Sequence, residues 1–207
     1  MRLVERLLVL IGFLFAAAYG LHAADAHWGR LHGLAQMTVA TSAVESPVPD
    51  HTNWAQSRWQ AFLSARDQAA GIPWGALAIP AIGIEVPVFA DTSDVHLNRG
   101  AGLIEGTSYP GAQGNVGIAG HRDGFFRALR QIERGQRIEV RTARAQFVYR
   151  VASIAVVDAE DARLLQTTAA PVITLVTCYP FYFVGSAPRR FVVRGVLVSS
   201  VGSGRSS

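Results

Sequence analysis

Residues Val172–Val198 read VITLVTCYPFYFVGSAPRRFVVRGVLV: two β-branched apolar runs joined by a connection rich in aromatics, glycine and proline. Val, Ile and Thr fit a pleated, half-buried surface, so each run predicts a strand. The first run, Val172–Cys178, ends on the only thiol of the chain, and Pro180 stops it because proline cannot continue a central strand. The second begins at Arg190. If the two runs pair antiparallel, the end of one lies beside the start of the other. Cys178 and Arg190 then become neighbours.

The same texture of short apolar runs, separated by Gly, Pro, Asn and Asp, extends back to Ile72. It predicts strands at Ala76–Ile79, Ile82–Phe89, Gly114–Ala119, Arg137–Thr142, Gln146–Val157, Val172–Thr177 and Phe191–Val198. One strong helix is expected among them, Asp123–Arg134, capped by Asp123, ended by Gly135 and burying Phe125, Phe126, Leu129 and Ile132. A short helix or turn is expected near Asp161–Leu165. So many short strands with so little helix predict an all-β fold, a closed or nearly closed barrel.

A third chemical group sits at a strand end. The segment Asn115–His121, NVGIAGH, is a short strand that ends on an imidazole. A thiol attacks carbonyls only as thiolate, and its free pKa of about 8.5 leaves little of that form at neutral pH. An imidazole to move the proton, and a permanently charged guanidinium to stabilise an oxyanion, would answer both needs of acyl transfer. Taken singly, Cys178 also fits a small core residue, His121 a turn and Arg190 a strand surface. Three strand-end placements together favour a site.

Composition narrows the field. Among 207 residues, 50% are hydrophobic and 16% charged, which excludes a disordered chain or a coiled coil. All 19 basic residues are Arg, so lysine chemistries are absent, and with no basic run the net charge of +4 does not indicate nucleic acid. Arg2 and Arg6 lead into the uncharged run Leu7–Leu21, extended by His22, Ala23 and Ala24. At 1.5 Å per residue, about 18 residues span roughly 27 Å, close to the hydrocarbon thickness of a bilayer. Residues 1–24 are therefore read as an uncleaved anchor with a cytoplasmic N-terminus, in preference to a signal peptide cut near Ala24. Residues 25–71 read as an extracytoplasmic spacer, with an amphipathic helix across Asn53–Ala70 presenting Trp54, Trp59, Phe62 and Leu63. The folded domain is placed at 72–200, with 201–207 a flexible tail.

The stretches Ile118–Phe126 (IAGHRDGFF) and Thr174–Gly195 (TLVTCYPFYFVGSAPRRFVVRG) resemble the two signature regions of sortases, bacterial cysteine transpeptidases of the cell envelope. Gly106–Asn115 and Leu77–Phe89 fall in matching order, and the connection after Cys178 is most similar to class D members. The resemblance implies an eight-stranded β-barrel and a site of His121, Cys178 and Arg190. It also implies cleavage of an LPxTG-type sorting signal after Thr through a thioacyl-enzyme. The acyl group would pass to an amine of a peptidoglycan precursor or a pilin lysine. Partners would be exported proteins carrying the signal, and the location the cell membrane. No cofactor or metal is implied: Asp158, Glu160 and Asp161 do not supply six or more oxygen ligands and read as a solvated loop. An L,D-transpeptidase fits less well because Arg190 lies twelve positions beyond Cys178, and a papain-like protease has cysteine before histidine. A non-catalytic envelope-binding module would not need all three polar groups. Since side chains alternate along a strand, Arg189 and Arg190 cannot both face the thiol, and Arg190 is assigned.

Overall fold

A computed structural model of the chain describes residues 51, 54–66, 68, 71–182 and 187–202. The expected anchor at 1–24, most of the spacer and residues 203–207 of the expected tail lie outside the described residues, whereas Val201 and Gly202, expected in that tail, continue the last strand against Gln146 and Ala145. Among the described residues, no helix is long and apolar enough to cross a membrane.

Helix α1 (Gln56–Arg66) precedes the strands. It is followed by β1 (Gly75–Ile79), β2 (Ile84–Phe89), a short helix α2 (Asp94–Arg99), β3 (Ala101–Leu103) and β4 (Asn115–Ala119). Then come β5 (Arg137–Thr142), β6 (Ala145–Asp158), β7 (Val172–Tyr179) and β8 (Arg189–Gly202). The eight strands close into a barrel in the order β1-β2-β3-β4-β7-β8-β6-β5. Most neighbours pair antiparallel, but β2 pairs β3 and β4 pairs β7 in parallel. Closure pairs each strand on both sides, which suits strands this rich in Val and Ile.

Alternation decides which side chains fill the barrel. Leu77, Ile79, Val86, Val88, Val116, Ile118, Ile138, Val140, Ile173, Leu175 and Val193 build its core. The aromatic stripe expected in the spacer packs on this body: Phe62 is buried, and Trp54 meets Phe125 edge-on at 5.2 Å between ring centroids.

Four elements depart from expectation. The helix expected over Asp123–Arg134 is instead a run of turns with a 3-10 segment at Arg127–Gln131. Its hydrogen bonds reach back three residues, from Arg127 N to Gly124 O, Leu129 N to Phe126 O and Ile132 N to Leu129 O. The carbonyl of His121 draws in both Gly124 N and Phe126 N at 3.2 Å, tightening the chain before an α-helix can start. Asp123 does not cap it, because its carboxylate is taken by Arg58. The apolar stripe is nonetheless buried as expected. Strand β2 starts at Ile84 rather than Ile82, since Pro80–Ile82 forms a 3-10 turn ended by Gly83 at φ 65°. Strand β3 and helix α2 add to the elements expected from the sequence.

Packing behind the histidine is tight. A Cβ on buried Gly120 would come within 2.8 Å of the Phe126 ring, which is itself fully buried. Overpacking of this kind costs about 1–3 kcal/mol. Gly120→Ala should lower stability in urea by that amount. Gly120→Ala with Phe126→Leu should be less destabilised than the sum of the single changes; strict additivity would show that the two do not collide.

Candidate active site

The site grows from β7. Its β-branched run pairs on both sides, with β4 in parallel and β8 antiparallel, so its backbone hydrogen bonds are satisfied within the barrel. In the β8 register, Val176 faces Val192, Thr177 faces Phe191, Cys178 faces Arg190 and Tyr179 faces Arg189. The expected neighbours Cys178 and Arg190 are thus directly opposite, on one face. Paired residues of a sheet point the same way, and their Cβ atoms lie about 4.5–5.5 Å apart.

The opposite face takes the aromatics. Phe181 packs edge-on to Phe191 at 5.1 Å and to Tyr179 at 6.0 Å, fixing the chain as it leaves β7. The Arg189 guanidinium lies 5.2 Å from the Tyr179 ring centroid, a cation over a π-face. Arg189 and Arg190 therefore point to opposite faces, as alternation requires. Arg190 Nη1 donates to the carbonyls of Ala187 and Arg189, each at 3.1 Å, which holds its guanidinium near the head of β8.

His121 arrives from the other side. Ala119 pairs with Val176, and Gly120 N donates to Val176 O at 3.2 Å. Continuing this register carries His121 level with Cys178. A buried hydroxyl secures the approach: Thr177 Oγ1 donates to Gly120 O at 2.7 Å. The residue before the thiol thus fastens the residue before the imidazole.

Three charged groups that the sequence reading did not connect with the imidazole, Arg58, Asp123 and Asp94, act on His121. Arg58 on α1 donates from Nε to Asp123 Oδ1 at 3.0 Å and from Nη1 to Asn98 Oδ1 at 2.6 Å. Burial, and then the charge of Arg58, push the His121 imidazole down to about 4, against the opposing pull of Asp123 and Asp94. The ring is neutral at neutral pH and able to accept a proton. No local signal pairs Arg58 with His121, since they lie far apart in the chain.

Beside Arg190 a groove of about 240 Å³ opens on the outer face of the barrel. Ile104, Ala162, Leu164, Leu165 and Val176 give it apolar walls, while Glu160, Asp161 and Arg190 give it charge. Asp161 caps the 3-10 turn Ala162–Leu165 and pairs with Arg163 at 2.8 Å, which holds its carboxyl below the usual range. Among the described residues, no three His, Cys, Asp or Glu side chains are grouped to hold a metal ion.

A closed barrel that sets a strand-end thiol opposite an arginine, with a histidine two residues beyond the adjoining strand, groups the residue types that cysteine acyl transfer uses. The family model "Sortase domain" matches residues 77–198. Sortase D of Bacillus subtilis is 34% identical over 140 residues, 67% of this chain and 68% of that protein. The crystal structure of Sortase E1 from Streptomyces coelicolor with a tripeptide in its active site superposes with a TM-score of 0.58 at 28% identity, covering 65% of this chain and 93% of that one. A Clostridium perfringens Sortase D5 transpeptidase gives a TM-score of 0.56 at 25% identity over 71% and 91% of the two chains. The chain belongs to the sortase family and is a cysteine transpeptidase.

The depressed imidazole gives a pH test with a definite sign. An unfolded chain protonates this histidine near 6.5 and the folded one near 4, so the folded state binds fewer protons between those values. This group makes stability fall as pH drops from about 6.5 to about 4. In Arg58→Met the ring should titrate higher, because a neighbouring cation is lost and Asp123 is released. An NMR titration of His121 unchanged by the substitution would show that α1 does not act on the ring.

Proposed function

We propose that this protein is a membrane-anchored sortase that cleaves an LPxTG-type sorting signal after Thr and transfers the acyl group to an amine. The observation that carries the reading is the register of β7, with Cys178 opposite Arg190 and with Ala119, two residues before His121, beside Val176, two residues before Cys178. In this scheme Cys178 Sγ attacks the threonyl carbonyl carbon while His121, neutral beforehand, takes the thiol proton. Arg190 donates N–H bonds to the oxyanion. As the C–N bond breaks, His121 returns that same proton to the leaving amine, and a thioester remains on Cys178. An acceptor amine then attacks the thioester, forms the new amide and restores the thiol. The acceptor would belong to a peptidoglycan precursor or a pilin lysine, the substrates to exported proteins bearing the signal. Neither a cofactor nor a metal enters the scheme. Residues 1–24 would hold the enzyme in the membrane with its barrel, placed at 72–200, outside the cytoplasm.

Incubation with a sorting peptide should give a thioacyl adduct by intact mass, and Cys178→Ala should give neither adduct nor cleavage. Cleavage near the wild-type rate in that variant would refute the cysteine scheme. Losing one oxyanion donor typically costs about 10²–10³-fold in turnover, so Arg190→Ala should fall by that factor. Arg190→Lys should recover only part, because it keeps the charge but not the planar fork. Arg189→Ala should stay within a few-fold of wild type, since Arg189 lies over Tyr179. A greater loss at Arg189 would reassign the role.

For the anchor, full-length protein should remain in membranes through a carbonate wash. A mature N-terminus near Ala24 would instead establish cleavage.

A further inference from the structure

Three adjacent strands each send one polar side chain to the outer face of the barrel within two residues of one level: Thr174 of β7 pairs with Arg194 of β8, and Asn115 of β4 pairs with Val172, two residues before Thr174. Asn115 of β4 and Thr174 of β7 are 1% and 0% exposed, a burial that polar groups bear only when hydrogen-bonded. Thr174 Oγ1 donates to Asn115 Oδ1 at 2.7 Å. Asn115 Nδ2 then donates to the carbonyls of Leu164 at 2.9 Å and Gln166 at 3.3 Å. From β8, Arg194, which pairs with Thr174 in the sheet, donates from Nη2 to the same Leu164 carbonyl at 3.0 Å. Leu164 lies in the 3-10 turn Ala162–Leu165, whose Ala162, Leu164 and Leu165 form one wall of the groove beside Arg190.

The spacing along β7 connects this network to the thiol. Thr174, Val176 and Cys178 alternate onto one face, and at about 3.3 Å per residue Thr174 lies roughly 13 Å from Cys178. Val176, between them, lines the groove. The network thus fastens the groove wall at the far end of the same row of side chains that ends on the thiol.

We propose that Asn115, Thr174 and Arg194 form a clamp on the Leu164 carbonyl that positions this wall, and that they thereby set the enzyme's selectivity for an aliphatic side chain upstream of the scissile bond. They are positioning residues and touch no reacting atom. The inference rests on the groove holding the acyl substrate, as in the function proposed above. An aliphatic occupant follows from the wall itself, whose Ile104, Leu164, Leu165 and Val176 offer apolar contact.

The experiment compares full-length wild type with Asn115→Ala, Arg194→Met and Arg194→Lys. The substrates are two sorting peptides that differ only in a leucine or an alanine upstream of the threonine. A lost hydrogen bond corresponds to roughly a two- to twelvefold change in an equilibrium, so KM for the leucine peptide should rise about three- to tenfold in Asn115→Ala. Its kcat should stay within about twofold, and the preference for leucine over alanine should shrink by a similar factor. Arg194→Met should show the same split more weakly, and Arg194→Lys should recover it. Backbone hydrogen exchange of Ala159–Gln166 should quicken in Asn115→Ala and Arg194→Met while exchange in β7 holds. Should Asn115→Ala fail to fold, Arg194→Met and Arg194→Lys decide alone, since Arg194 removes only one of two donors to Leu164. A fall in melting temperature with KM, selectivity and loop exchange unchanged would overturn the clamp. Absence of turnover in wild type would instead overturn the function on which it rests.

Discussion

Strand β7 is hydrogen-bonded on both flanks, to β4 in parallel and to β8 antiparallel, and the candidate site exists only because both registers hold at once. A slip of one residue against either neighbour would turn every side chain to the other face. Cys178 would then point among the core residues while Thr177 faced outward. What prevents the slip is burial: Ile173, Leu175, Ile118 and Val193 are fully buried. Moving such a set into water costs roughly 1.5–3 kcal/mol per side chain, far more than one ladder hydrogen bond returns. The position of the thiol is therefore set by apolar residues that never touch a substrate.

Those apolar residues also explain what could be read from sequence. The strand Val172–Cys178, its stop at Pro180 and the restart at Arg190 are local signals, and antiparallel pairing across a short connection follows from them. The neighbour relation of Cys178 and Arg190 was legible for that reason. The parallel partnership of β4 with β7 was not, because parallel strands come from distant parts of a chain and no turn links them. His121 could be placed at a strand end but not beside the thiol without the family resemblance. Strand β3, only Ala101–Leu103, lacks the length for any period to register. The helix expected at Asp123–Arg134 had the right buried face, yet the pull of the His121 carbonyl on Gly124 and Phe126 gave a 3-10 run instead. Periodicity reports which side is buried more faithfully than which helix carries it.

Electrostatics around the imidazole depends on contacts with still less trace in the sequence. A histidine near two carboxylates, Asp123 and Asp94, would ordinarily become a better base. Here burial dominates, and Arg58 satisfies Asp123 while adding its own charge, so the ring stays neutral. A neutral ring suits a partner that must remove a proton before it returns one. Helix α1, which sequence treats as part of a spacer, is thus built into the environment of the site through Arg58, with Trp54 and Phe62 packed around Phe125.

Consecutive residues of β7 divide their tasks because a strand has two faces. Thr177 turns to the buried side, where its hydroxyl fastens Gly120 and hence the approach of His121. Cys178 turns to the groove side, opposite Arg190. The fastening group is one residue from the proposed nucleophile yet is shielded from substrate, so the imidazole can be held without any polar atom competing for the reacting carbonyl. Two steps below Val176 on the groove side, Thr174 repeats the arrangement by tying Asn115 to the wall loop. One strand thus carries fastening hydroxyls on both faces and the thiol on one, and the rigidity of the fastened frame is what gives the thiol a defined position.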